Sequence, residues 1–306
     1  MGVSAVQHSF SGHETFPFRY PWLKKGFDAA LKDGHVFVRD DAITTLGVGK
    51  NMVRSIRHWC LAAGVLGENR EGGPGLQPTE LGALLLADDG LDPYIEDPAT
   101  LWLVHWQIAS SRGRAATWFW SFSYFHEPEF TREALTSALY RWTQTLSGKE
   151  IAESSLKRDV EVFLRTYVPS RQSRGDVAED SLDCPLVELG LITQPRDGHA
   201  YRFRRGAKQD LPDGILLFAV LRFWERHSPT TETLALNDLG RQPGSPGRLF
   251  KIDESSLAER LEGIERQTMG RLSYRETAGL RQLYRKERLD PNEVLLDAYA
   301  KGARRR

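Results

Sequence analysis

Asp40-Asp41-Ala42-Ile43-Thr44-Thr45-Leu46-Gly47-Val48-Gly49-Lys50-Asn51-Met52-Val53-Arg54-Ser55-Ile56-Arg57-His58-Trp59 reads as a helix, a glycine turn and a second helix, the helix-turn-helix pattern of DNA-binding proteins. At about 100° per residue the second helix sorts its side chains by face. Met52, Val53, Ile56, Trp59, Cys60 and Ala63 fall on one side; Lys50, Asn51, Arg54, Ser55, Arg57 and His58 fall on the other. The apolar side suits a core. The basic side suits phosphates and base edges, so these six residues are the expected DNA contacts. A solvated surface face is the plainer alternative; the glycine turn favours DNA.

The flanking sequence completes a small unit. Pro17 and Pro21 keep the opening segment extended, and a helix is expected over 22–31. After the second helix, Gly64 is a plausible C-cap. Val65 and Leu66 can start a strand, Gly72-Gly73-Pro74-Gly75 can turn it, and Leu76-Gln77-Pro78 can return it as a wing. Thr79 is expected to cap a helix over 80–87. The expected organisation is an opening segment plus winged helix-turn-helix over 1–95, an aromatic-rich helical region over 96–168, and a mostly helical C-terminal domain with a small strand pair over 169–306. The fold class is mainly α with small β wings.

In the middle region Trp102, His105, Trp106, Trp118, Phe119, Trp120, Phe122, Tyr124, Phe125, Tyr140 and Trp142 follow closely on one another. Such rings could stack on unpaired bases, but at this density they favour a helical core. Another amphipathic helix is expected over 155–167 and a polar loop over 169–180. Beyond these come a short helix over 185–192, a strand over 200–204 and an apolar helix over 215–225. A turn over 243–247, a helix pair over 255–269 and 274–287, and a last helix over 292–299 complete the chain.

Composition limits the function. The chain has 306 residues with 41 Lys and Arg against 41 Asp and Glu, so its formal net charge is zero. Proteins that coat nucleic acid are usually strongly basic; DNA contact here must be local. The basic end over 301–306 hints only weakly at an anionic partner. Two cysteines, Cys60 and Cys184, make neither a disulfide framework nor a zinc site. That usage fits a reducing cytoplasm. No apolar run is long enough for a membrane span, and no signal-peptide layout opens the chain.

Several motifs bear on chemistry. Gly47-Val48-Gly49-Lys50 is not a phosphate loop, because Thr44 and Asn51 stand where that motif needs Gly and Ser or Thr. His13-Glu14 could be an acid/base pair or part of a metal site, but neighbours on an extended segment point apart, so hydrogen bonds that fix the segment are favoured. Asp176, Glu179, Asp180 and Asp183 could ligate a metal; a solvated loop is the plainer reading. Asp159 and Glu161 are two residues apart on one helix and diverge. No Gly-x-Ser-x-Gly elbow is present. Arg241, Arg248, Lys251, Arg271, Arg275, Arg281, Arg285 and Lys286 could form a second basic surface, against which Glu259, Glu262, Glu265, Glu276 and Glu287 interleave as salt-bridge partners.

Three segments carry a family resemblance: Phe10-Ser11-Gly12-His13-Glu14-Thr15-Phe16, Leu182-Asp183-Cys184-Pro185-Leu186-Val187-Glu188-Leu189-Gly190-Leu191-Ile192, and Gly244-Ser245-Pro246-Gly247-Arg248-Leu249-Phe250-Lys251. Together they resemble the bacterial family known as domain of unknown function 4007, over nearly the whole chain. That family is associated with DNA phosphorothioation and phage-defence gene clusters, in which sulfur replaces a non-bridging phosphate oxygen of DNA. The resemblance implies a DNA-nicking component that works beside a cysteine desulfurase and an ATPase. It assigns no catalytic residue here. A nick needs an activated nucleophile and stabilised phosphorane charge, which a carboxylate cluster with Mg or Mn would supply. His13, Glu14, Asp176, Asp180 and Asp183 are the candidates. Two other roles stay open: a non-catalytic DNA-binding adaptor or transcriptional regulator, acting as a homodimer on paired half-sites, and a protein-interaction scaffold.

Overall fold

Residues 8–69, 75–146, 150–170, 184–195, 198 and 200–303 are described by a computed structural model. The described residues are mainly α-helical with three small antiparallel sheets. The chain divides into two compact units, one of residues 1–121 and 125–203, the other of residues 122–124 and 204–306.

The first unit begins with α1 (Tyr20–Lys32), which carries Pro21 in its first turn, where the missing N–H costs nothing. Trp22, Leu23, Phe27 and Ala30 are buried along one face. A 3-10 turn at Val36–Val38 leads into α2 (Ala42–Leu46). Gly47 ends α2 in the left-handed region at φ 63°, and Gly49 in extended backbone starts α3 (Lys50–Ala62). The two glycines therefore make the tight turn that the sequence suggests. Gly26 lets α1 lie close on α3: a Cβ there would be 2.4 Å from Cys60 Sγ. Gly64 follows α3 at φ 68°.

β1 (Leu66–Glu68) then pairs antiparallel with β2 (Leu76–Pro78). The expected turn residues Gly72, Gly73 and Pro74 lie outside the described residues. α4 (Glu80–Leu86) is capped by Thr79, whose Oγ1 accepts from Gly82 N at 2.9 Å. α5 (Pro98–Ser110) is buried nearly all round. It is followed by α6 (Ala116–Ser123), β3 (Glu129–Phe130), α7 (Arg132–Thr143) and α8 (Glu153–Tyr167). A 3-10 turn at Pro185–Leu189, β4 (Ile192–Thr193) and β5 (Tyr201–Phe203) complete the unit, with strand order β3-β5-β4.

The aromatic residues fill this core. Trp102, Trp106 and Trp118 are at most 1% exposed. Trp59 of α3 meets Trp118 of α6 edge to face at 5.3 Å, and Trp118 meets Phe163 of α8 at 5.8 Å. Edge-to-face pairs suit the ring quadrupoles. Tyr124 stays 42% exposed.

In the second unit α9 (Asp213–His227) packs on α14 (Pro291–Ala303), where a Cβ on Gly214 would be 2.4 Å from Ala298 Cβ. Between them come β6 (Thr233–Ala235), α10 (Leu236–Arg241), α11 (Pro246–Leu249), α12 (Glu254–Glu262) and α13 (Ile264–Gln267), then β7 (Leu272–Thr277) and β8 (Leu280–Arg285). The sheet order is β6-β8-β7, antiparallel throughout.

Three expectations need correction here. The stretch 274–287 is not a helix but the β7–β8 hairpin. Its two turn residues, Ala278 and Gly279, both have positive φ, 51° and 78°, the backbone that suits a two-residue hairpin turn. The helix expected over 255–269 breaks at Gly263 into α12 and α13. The turn expected over 243–247 runs into α11, whose N-cap Ser245 accepts from Arg248 N.

Candidate nucleic-acid interface

α3 is the element on which the expected contacts converge. Lys50, Asn51 and Arg54 are exposed and Arg57 is half-buried, all on the side away from Val53, Ile56 and Cys60. No helix cap or acidic residue occupies the first turn of α3. This leaves a short row of cations and one amide open to a polyanion.

Ser55 and His58 do not belong to that row. Ser55 is 0% and His58 9% exposed. For His58 the reason is a contact that helical periodicity cannot reveal: the segment Ser11–Phe18 lies across that side of α3. Trp59 Nε1 donates to Phe16 O at 3.1 Å. The His13 and His58 rings meet edge to face at 5.7 Å. A Cβ on Gly12 would be 2.5 Å from His58 Nδ1, so only glycine fits there. Burial pushes the pKa of His58 down to about 3, with a further lowering from His13. It is neutral near pH 7, and its buried Nε2 finds no partner among the described residues.

The covering segment is held by a carboxylate to which the sequence alone gives no partner. Asp159 of α8 is 1% exposed. Its Oδ1 accepts from Ser11 N at 2.6 Å, from Ser11 Oγ at 3.2 Å and from His13 Nε2 at 3.0 Å. Its Oδ2 accepts from Thr117 Oγ1 at 2.7 Å. Thr15 N donates to His13 Nδ1 at 3.2 Å, so the ring carries its proton on Nε2 and both nitrogens are used. His13 is therefore a clasp between the N-terminal segment and α8, not a free acid or base. The segment is bent sharply, with Ser11, Glu14 and Thr15 at φ 60°, 48° and 70°. Left-handed backbone is costly for Thr and persists because these bonds over-determine it. The signal was present in the sequence: Asp159 stands beside Leu156, Val160 and Phe163, on the face of the helix that had to be buried.

Glu14 pairs with Arg54 Nη1 at 3.3 Å, both side chains being partly exposed. It neutralises one cation of the α3 row. The other acidic candidates, Asp176, Glu179, Asp180 and Asp183, lie outside the described residues. Among the described residues no group of three His, Cys, Asp or Glu side chains is placed to hold a metal ion; the residues described do not by themselves fit magnesium or manganese.

A groove of about 540 Å³ beside α1 is lined by Tyr20, Lys24, Lys25, Lys32, Thr45 and Tyr94, among others. Its cations are partly spent: Lys24 bonds Asp28 and Asp88 at 2.7 Å each, and Lys25 donates to Leu46 O.

The second unit settles much of the expected second basic surface in favour of salt bridges. Arg241 and Arg281 pair with Glu254, and Arg275 pairs with Glu265. Arg285 lies over the Trp224 ring at 4.7 Å and donates to Thr231 O.

Residues 10–299 match the family described as "Protein of unknown function (DUF4007)". Two solved structures are similar over nearly the whole chain: a crystal structure of SspB at TM-score 0.85, and a magnesium ion-bound crystal structure of SspB at TM-score 0.86. In both comparisons identity is 32%, over 97% of this chain and 88% of the other. No curated protein matches the chain.

Proposed function

The chain belongs to the DUF4007 family, and from that premise we propose that it is a DNA-binding, strand-nicking component of a bacterial DNA phosphorothioate modification and phage-defence system. In this reading α2, the Gly47–Gly49 turn and α3 are a helix-turn-helix, and β1–β2 is its wing. Lys50, Asn51, Arg54 and Arg57 meet the duplex. The observation that carries the reading is the row of exposed side chains on α3, set on a helix whose opposite face is locked into the aromatic core. Similarity to SspB supports the association with a modification system; a cysteine desulfurase and an ATPase are its proposed partners there.

Phosphate contacts by Lys and Arg give affinity and register, and Asn can read an adenine edge. The clasp made by Asp159 and His13 orients α3 without touching DNA. The test is relaxation of supercoiled plasmid by pure protein with and without Mg or Mn. Metal-dependent nicking that Lys50→Ala/Arg54→Ala/Arg57→Ala loses supports the proposal; no nicking under any of these conditions removes the enzymatic part.

A second reading is favoured by the saturation of His13, whose two ring nitrogens are both hydrogen-bonded. The chain is then a non-catalytic DNA-binding adaptor or transcriptional regulator. Gel shifts abolished by the same triple substitution, without nicking, select it.

A further inference from the structure

The second unit, like the first, sets helices ahead of an antiparallel hairpin. Its order is helix α9, strand β6, helix α10, helix α12 and hairpin β7–β8, with sheet order β6-β8-β7. α11 sits in the turn between α10 and α12, and α13 precedes the hairpin. The body of α12 is acidic, with Glu259 and Glu262 exposed. Glu254 at its start and Glu265 just beyond it take up the arginines of the hairpin. Such a helix repels phosphate along its length and is unsuited to a groove.

The turn is different. Gly206 N donates to Lys251 O at 3.1 Å, which ties the loop 204–208 to the end of the α10–α12 connection. Five cations gather there: Arg204, Arg205, Lys208, Arg248 and Lys251. Arg204 and Arg205 are exposed and make no ion pair among the described residues. Lys208 and Lys251 are only 3% and 5% exposed, and their Nζ atoms donate to backbone carbonyls, of Arg204 and of Phe122. Burial pushes Lys251 well below its ordinary range, and Arg205, Arg248 and Lys208 push it further. Burial likewise brings Lys208 down to about 8, assisted by Arg204 and opposed by Asp210 and Asp253. The Asp253 carboxylate caps α12 through Ser256 N and both neighbouring serine hydroxyls. The cations lie close enough to shift one another, and an anion would relieve their mutual repulsion.

We propose that this turn is a second DNA site, independent of α3, where Arg204 and Arg205 at the mouth of the cation cluster grip the phosphodiester backbone without reading sequence. The site holds a strand by its phosphates; the acidic α12 keeps the bases at a distance.

The test is fluorescence-anisotropy titration of the full chain with a labelled duplex across a salt series. Arg204→Glu/Arg205→Glu is compared with Arg275→Glu/Arg281→Glu, an equal charge change within the same unit, and with Lys50→Ala/Arg54→Ala/Arg57→Ala. Circular dichroism confirms that each variant is folded. The expected result is at least a tenfold loss of affinity at 0.1 M salt for Arg204→Glu/Arg205→Glu, with a log–log salt slope flatter by about 1.8, and little change for the control. Wild-type affinity and slope in Arg204→Glu/Arg205→Glu, or equal loss in the control, overturns the second site. If binding is then still lost in the α3 variant, the α3 reading survives that failure. A wild-type chain that binds no DNA at all overturns both.

Discussion

Removing the Asp159 carboxylate should unclasp the N-terminal segment. Asp159→Ala strands four donors: Ser11 N, Ser11 Oγ, His13 Nε2 and Thr117 Oγ1. The two hydroxyls can turn to other acceptors. The Ser11 amide and the His13 ring N–H are fixed in direction and remain orphaned, at about 1–3 kcal/mol each. The backbone at Ser11, Glu14 and Thr15 also loses the bonds that hold its left-handed geometry. We expect Asp159→Ala to cost about 3–5 kcal/mol, as for other broken buried charge–donor pairs. Asp159→Asn can keep a carbonyl oxygen for Ser11 and His13 and turn its amide to the Thr117 hydroxyl, so it should cost about 1–2 kcal/mol. Urea denaturation gives both numbers. Limited trypsinolysis gives an independent readout, because Arg19, half-buried at the end of the segment, should become a rapid cleavage site in Asp159→Ala only. A loss under about 1 kcal/mol in Asp159→Ala, or equal losses in both variants, would refute the clasp.

Three further outcomes follow from the same packing. His58 is lowered from 6.5 to about 3 in the folded chain, so the unfolded chain binds its proton first. Its contribution is present above pH 6.5 and is lost as pH falls toward 3. The loss is about 2 kcal/mol at pH 5, and urea midpoints of His58→Phe should fall less steeply between pH 7 and 5 than those of wild type. Gly82→Ala would set a Cβ 2.0 Å from the Val65 carbonyl oxygen; it should destabilise by about 1–3 kcal/mol, although Ala ordinarily favours a helix by about 1 kcal/mol over Gly, and a stabilised variant would contradict this packing. Cys60 and Cys184 are buried, and burial pushes the Cys60 thiol up. Neither should react with a thiol reagent at pH 8 until denaturant is added; rapid native modification would count against the core as described.

Much of this fold is local and so could be read from sequence. Gly47, Gly49, Gly64 and Thr79 punctuate helices in ways that depend only on near neighbours. The aromatic density of the middle region indicated its burial. What escaped was of two kinds. In the stretch 274–287 the Arg and Glu spacing fits a helix face, and the decisive residues are Ala278-Gly279, a two-residue turn that outweighs the periodicity. Ser55 and His58 sit on the polar side of α3 by periodicity, yet both are buried, and a segment about forty residues earlier covers His58; one-dimensional patterns carry no such contact. Asp159 was legible in principle, since a carboxylate among Leu156, Val160 and Phe163 has to find donors or stay charged and dry. The basic residues of the second unit divided only when their partners were visible, with Arg241, Arg275 and Arg281 taken by glutamates and Arg204 and Arg205 left open.

The central claim is that the exposed row of α3 binds DNA. Its most direct test is the equilibrium affinity of the full chain for a labelled duplex, measured against salt for wild type and for Lys50→Ala/Arg54→Ala/Arg57→Ala. Three lost phosphate contacts should flatten the log–log slope by about 2.7 and weaken binding at every salt concentration. An unchanged slope and affinity would contradict the claim and leave the α2–α3 unit without a role in DNA recognition.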